Sequence, residues 1–333
     1  MRLLALALTV AASALAGLAM HSGPAAAQQT LRVAGNFAVD HSSTDALNLF
    51  ARELESATGG ALRAEIFPAM QTGGASENVT AVRQGALFMT VVGMPFVSRV
   101  VPELDALGLP FVFPTREIAF KVADGEVGDI LAEKAAEKGF VLFPMMELGY
   151  RHVTNNVRPI RTIEDFEGLK IRLQPSETHL ETFRALGANP QPMDIKELYS
   201  ALQHGVLDGQ ENPYSVILSW RFQEVQKYLS DTGQFFDFIV VVANKAQFEA
   251  LSPEHQDAVR NAVIKAVEYQ RAAAIEDDAS SRAQLEAAGM QFDPIPDETR
   301  KEMQARTAGV VDTVRERLGA ELVDLVVSQA SGQ

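Results

Sequence analysis

Apolar and polar positions follow two rhythms along this chain, and the rhythm switches at short intervals. "TLRVAGNF", from Thr30, has the two-residue alternation of a half-buried strand. In "STDALNLFARELESATGG", which follows, Leu47, Phe50 and Leu54 recur at helical spacing until Gly59 and Gly60 end the helix. "LRAEIFP" predicts a second strand, "GGASENVTAVRQGA" a helix entered from a glycine pair, and "FMTVVGMPF" a buried apolar strand. Strand and helix go on alternating across short connections, which predicts an α/β fold with mostly parallel strands. No repeat and no low-complexity linker interrupts the pattern, so a domain boundary must be crossed by ordered chain.

The middle of the chain punctuates itself clearly. "YRHVTNNVRPI" reads as a strand leaving into a turn, "TIEDFEG" as a short helix capped by Thr162, and "LKIRL" as a strand. "SETHLETFRALG" is a helix with Ser176 at its N-cap and Gly187 at its end. "DIKELYSALQHG" is another, with Asp194 and Glu197 as a capping pair and Gly205 as terminator. In "DGQENP" the residue before proline is pushed toward extended geometry, so the stretch predicts a short strand, and Pro213 suits the first position of the helix "YSVILSWRF". After residue 250 come nearly forty residues of helix formers with no internal proline. At roughly 1.5 Å per residue such a helix runs past about 50 Å, long enough to span two domains.

The first residues obey other rules. Arg2 is followed by an uncharged run from Leu3 to Met20 and then by Pro24-Ala25-Ala26-Ala27. That is the layout of a secretory signal at 1–27, cleaved after Ala27. A membrane anchor is the competing reading, but the Ala, Ser and Gly content and the small residues before the cut favour the signal. The remaining chain predicts about two domains from its share of the 333 residues. It contains no cysteine, hence no disulfide, no thiol chemistry and no lipid-tethered N-terminal cysteine, and is expected to diffuse freely in the periplasm. Removing Arg2 with the signal leaves 28 basic against 43 acidic residues, a net charge of −15. No segment offers a basic stripe, so nucleic acid is not an expected partner; the surplus of acids keeps an exported protein soluble and monomeric.

Catalytic signatures are missing: no nucleophile elbow, no phosphate-binding loop and no His-Glu-x-x-His. The six histidines are scattered and none pairs with another at metal-ligand spacing. Nothing calls for a cofactor, a metal or an enzyme. Recognition chemistry remains. Alternation puts Lys170 and Arg172 on one face of "LKIRL", either as a solvated face or as a ligand-facing one. The strand runs into Pro175 and a helix start, where anions gather in α/β sheets, and an arginine there grips a carboxylate with two parallel hydrogen bonds. Arg151, in a strand-like segment, is a second candidate whose alternative is a surface ion pair. Gln210 and Asn212 share one strand face with Glu211 on the other. Asn212 is then either the N-cap of the next helix or a donor to a ligand held at the helix start.

These residues carry a pattern that resembles a known family. "TNNVRPIRTIEDFEGLKIRLQPS", "ALGANPQPMDIKELYSALQHGVLDGQENP" and "FQEVQKYLS" look like the dicarboxylate-type solute-binding proteins of TRAP (tripartite ATP-independent periplasmic) transporters. The likeness extends over essentially the whole chain after the signal. It implies a two-lobed clamshell in which strands and the long helix cross between lobes, with lobe one about 28–148 plus 237–275 and lobe two about 149–236 plus 276–333. It further implies an organic acid ligand, delivery to the membrane subunits of a TRAP permease, and a site with Arg172 as carboxylate grip, Arg151 as second arginine and Asn212 in the cleft. Gln210 stands next to Asn212 in that set, and Asn36 closes the opening strand. Two departures colour the expected ligand. Phe88 stands where an aspartate is usual, and "VVGMPF" lacks the charges of some sugar-acid binders. With Met94, Phe235 and Phe236 as cleft-lining residues, the expectation is a monocarboxylate with an apolar or aromatic body rather than a polyhydroxylated sugar acid; the alternative is that these three are core. Two other functions fit the same chain: a sensor module presenting its ligand to a membrane kinase, or an exported hydrolase or lyase.

Overall fold

Residues 28–332 are described by a computed structural model; the signal predicted at 1–27 lies outside the described residues. In chain order the strands are β1 Gln29–Gly35, β2 Leu62–Phe67, β3 Met89–Gly93, β4 Phe140–Leu142, β5 Met146–Tyr150 and β6 His152–Asn155. There follow β7 Lys170–Leu173, β8 Asn189–Pro192, β9 Gly209–Asn212, β10 Tyr228–Ser230, β11 Phe236–Asn244 and β12 Gln291–Asp293. They form two sheets. One has the order β2-β1-β3-β11-β4 with β5 also on β11, and the other β12-β10-β6-β9-β7-β8.

The parallel expectation holds only for part of each sheet. β1 pairs in parallel with β2 and β3, and β7 with β8 and β9. β11 is antiparallel to β3, β4 and β5, and β6 to β9 and β10. The cause is the crossing. Chain leaves the first sheet at Tyr150 and enters the second at His152, then returns between Ser230 and Phe236. A strand that enters a sheet from its neighbour cannot share the direction imposed by βαβ crossovers, so the sheets are mixed. The two crossings lie side by side, with Arg151 N–H donating to the Phe235 carbonyl at 2.9 Å.

All nine residues of β11, "FDFIVVVAN", are buried, as a central strand covered on both faces requires. "FMTVVGMPF" splits: β3 stops at Gly93 and a short helix, Met94–Ser98, begins with proline in its first turn. The long helix is Pro253–Ala287, capped by Ser252, and it packs on the Ser42–Ala57 helix, on β5 and on the Tyr214–Ser219 helix. It thus touches elements built on both sheets. At the C-terminus, Ala320–Ser331 packs on Arg116–Ala123 and Glu126–Glu137, helices expected in lobe one, although 276–333 was placed with lobe two. The amphipathic face Leu322, Val323, Val326 is buried there in the core of the first sheet.

Candidate functional site

Arg172 occupies the third position of β7, and its side chain is fully buried. The solvated-face reading is thereby excluded for this residue, while Lys170 stays exposed. Its Nε donates to the Met193 carbonyl at 2.8 Å, which fixes the guanidinium plane. Nη1 and Nη2 have no partner among the described residues. Burial, with Arg151 adding repulsion, pushes the guanidinium pKa down to about 10. A buried cation with two unbonded nitrogens is held at a cost, and an anion placed alongside relieves it.

Arg172 lines a small cavity of about 20 Å³, room for the centre of little more than one water-sized sphere. Asn36, Arg172, Gln174 and Asn212 are its polar lining, and Phe37, Phe96, Leu148, Ile195, Val216 and Trp220 its apolar walls. The first sheet contributes Leu148 of β5, and the second contributes Arg172 of β7 and Asn212 of β9. An acid ligand therefore needs the walls somewhat further apart than they stand here. A roomier cavity, about 410 Å³, lies between the Glu126–Glu137 and Pro253–Ala287 helices. Its arginine, Arg271, is already bonded to Asp124 and to the Met145 carbonyl, so it offers no unbonded cation.

Arg151 is the opposite case. It too is fully buried, but Nε and Nη2 donate to the Glu211 carboxylate at 2.6 and 2.7 Å, and Nη1 to Asp237 at 2.9 Å. Neither the surface pair nor the open grip describes it. Burial works to lower its pKa, but Glu211 and Asp237 hold it above the ordinary value. Burial pushes Asp237 up to about 6 against the pull of Arg151. Sitting between β5 and β6, Arg151 ties β9 of the second sheet to β11 of the first.

Asn212 connects the two arginines' surroundings. Its Oδ1 accepts from Arg151 Nη2 at 3.1 Å, its Nδ2 donates to Gln210 Oε1, and the residue lines the cavity. It is not the N-cap: that position is Pro213, without a side-chain bond. Gln210 lies outside the cavity and orients Asn212 while donating to Thr154 at 2.9 Å. Glu211 takes the other strand face, toward Arg151. Gly209 lets β9 approach β6: a Cβ there would lie 2.1 Å from the Thr154 carbonyl oxygen. Asn36 lines the cavity and accepts from Asn78 at 3.5 Å.

The structure places Met94, Phe235 and Phe236 in hydrophobic cores rather than along this cavity. Phe235 stacks on His179 at 3.9 Å in the second lobe's core, and Phe236 and Met94 belong to the first lobe's core. None of the three borders the cavity. Its apolar walls come from residues the sequence reading passed over, and so does Gln174. The signal for Gln174 was present: one more step of the alternation that selected Arg172 lands on it.

The sequence model of the bacterial extracellular solute-binding protein family 7 (DctP) matches residues 33–317. This chain is a family 7 solute-binding protein. Among relatives of the family 7 protein is the 2,3-diketo-L-gulonate-binding periplasmic protein YiaO of Escherichia coli K12, 36% identical over 291 residues and covering 86% of this chain and 87% of that one. A sugar acid binding protein from Advenella mimigardefordensis, solved with galactonate, superposes with a TM-score of 0.89 at 28% identity, covering 92% of this chain and 98% of that one. A TRAP periplasmic solute-binding protein from a Polaromonas species, bound to D-erythronate, gives 0.87 at 31% identity, with 90% and 99% covered. The two-lobed expectation is met by this likeness.

Proposed function

We propose that the ligand of this TRAP-type solute-binding protein is an organic monoanion whose carboxylate is gripped by Arg172. The protein captures an organic acid and delivers it to a membrane permease. The observation that carries the finer reading is the pair of unbonded Arg172 nitrogens at the buried cavity, beside an Arg151 already neutralised by Glu211 and Asp237. One available guanidinium matches one carboxylate in the two-bond geometry that arginine offers. The ligands named for the three relatives above, diketogulonate, galactonate and erythronate, are single carboxylates on hydroxylated chains. We take binding without turnover as the role of the site, and a monomer free in the periplasm after loss of the signal at 1–27 as the working form. Nucleic acid has no place in this reading, given the net charge.

Native mass spectrometry of protein purified gently from its exporting host tests the proposal. A small organic monoanion is expected on the wild type and none on Arg172→Ala. A cationic or uncharged molecule on the wild type, or the same acid retained by the variant, contradicts it.

A further inference from the structure

We infer that Gln174 is the specificity-determining residue of the cleft: its amide reads a hydroxyl on the captured acid, and Gly93 in the opposite lobe leaves it the room to do so. The inference rests on the carboxylate reading of Arg172 and adds what stands next to the carboxylate.

Gln174 follows β7 two residues after Arg172, on the same alternating face, and is 5% exposed. Its Oε1 is buried without a partner among the described residues, as is the indole Nε1 of Trp220, the chain's one tryptophan. Both residues line the Arg172 cavity. An unpaired buried acceptor costs as much as a lost hydrogen bond, so a ligand that satisfies it gains selectivity over one that does not. A carboxylate oxygen has no proton to give to Oε1. A donor is required: an ammonium, an amide N–H or a hydroxyl, and of these only the hydroxyl donates and accepts through one atom. No carboxylate side chain lines the cavity while a guanidinium does, so an ammonium there is unpaired and next to a like charge. A hydroxyl is neutral, donates to Gln174 Oε1 and accepts from Trp220 Nε1. A second carboxylate, as in a dicarboxylate, brings only acceptors and a second charge to a cavity with one unbonded cation.

Gly93 completes the pair from lobe one. A Cβ at this position would lie 2.7 Å from Gln174 Nε2, closer than real Cβ contacts come. Its backbone, φ −57° and ψ 137°, accepts alanine without strain. Alanine at 93 therefore displaces the Gln174 amide and not the main chain.

The test is calorimetric titration of wild type, Gln174→Leu, Gly93→Ala and Arg172→Ala with six acids. Three carry hydroxyls (D-erythronate, D-galactonate, 2-hydroxy-3-methylbutanoate) and three do not (butanoate, 3-methylbutanoate, succinate). The wild type is expected to bind a hydroxylated acid best. Gln174→Leu should weaken that acid about tenfold to a hundredfold and its unhydroxylated counterpart less than about threefold, with Gly93→Ala following the same split. Equal losses for both kinds, or no loss, overturn the assignment of Gln174. Wild-type preference for butanoate, 3-methylbutanoate or succinate overturns it as well while leaving Arg172 in place. Binding that survives Arg172→Ala, or a wild type that binds none of the six, removes the carboxylate reading beneath it.

Discussion

Arg151 and Arg172 are both fully buried, and their surroundings make them opposites. Truncating Arg151 strands the carboxylates of Glu211 and Asp237 without their cation. Arg151→Ala is expected to lose about 3–5 kcal/mol in urea unfolding. Arg172→Ala removes a cation that has no anionic hydrogen-bond partner and one bond to the Met193 carbonyl, so ligand-free stability should fall by no more than about 2 kcal/mol in the same measurement. Losses of equal size would mean that Arg172 is paired in solution. The sequence singled out both arginines by type and position but not the surroundings that set them apart. Their difference lies in Glu211 and Asp237, which are 60 and 86 residues from Arg151 along the chain, and no local pattern records such a meeting. The positions of Phe235 and Phe236 were hidden for a related reason: alternation says that neighbours face opposite ways, not which core each side meets.

At the level of elements, local chemistry was the better guide. Ser176 and Asp194 cap the helices at which capping was read, because the cap is settled within three residues. "DGQENP" became β9 and a helix start, since proline restricts the residue before it. Mixed pairing was not legible, because a crossing strand looks like any other until its partner is known. Two contacts suggest tests here. Gly209→Ala should open the β6–β9 pairing and shift Asn212, lowering affinity for any bound acid by about tenfold or more by titration. Unchanged affinity would detach β9 from the site. Asp194 caps its own helix and also accepts from the Ala75 N–H, at the start of the Ala75–Arg83 helix of the other lobe, at 2.8 Å. Asp194→Ala should shift the ligand-free protein toward a more open form, read as a larger radius of gyration in small-angle scattering.

Across the whole molecule, the two crossings and the long helix make the region between lobes a packed, partly charged zone. Glu147 on β5 lies in it, with burial pushing its pKa up to about 7 while Arg116, 3.3 Å away, opposes. A folded-state pKa above the unfolded one means that the folded protein favours the neutral acid. Stability from this group is present below about pH 4.5 and is lost as pH rises through 7. From pH 4 to pH 8 the wild type should lose about 3 kcal/mol more than Glu147→Gln in urea unfolding. Parallel pH profiles would show that Glu147 titrates normally. The two-lobed plan itself was legible in the resemblance of 150–230. The packing of Ala320–Ser331 on lobe one was not, because a C-terminal helix carries its apolar face without naming the surface it covers.

The central claim is that an acid is held through its carboxylate by Arg172. Ligand-induced thermal stabilisation of wild type and Arg172→Ala, with the same panel of acids, measures it most directly. The account predicts that at least one hydroxylated monocarboxylate raises the melting temperature of the wild type, and that the folded variant shows no shift with any acid. An equal shift in both proteins with the same acid would contradict it.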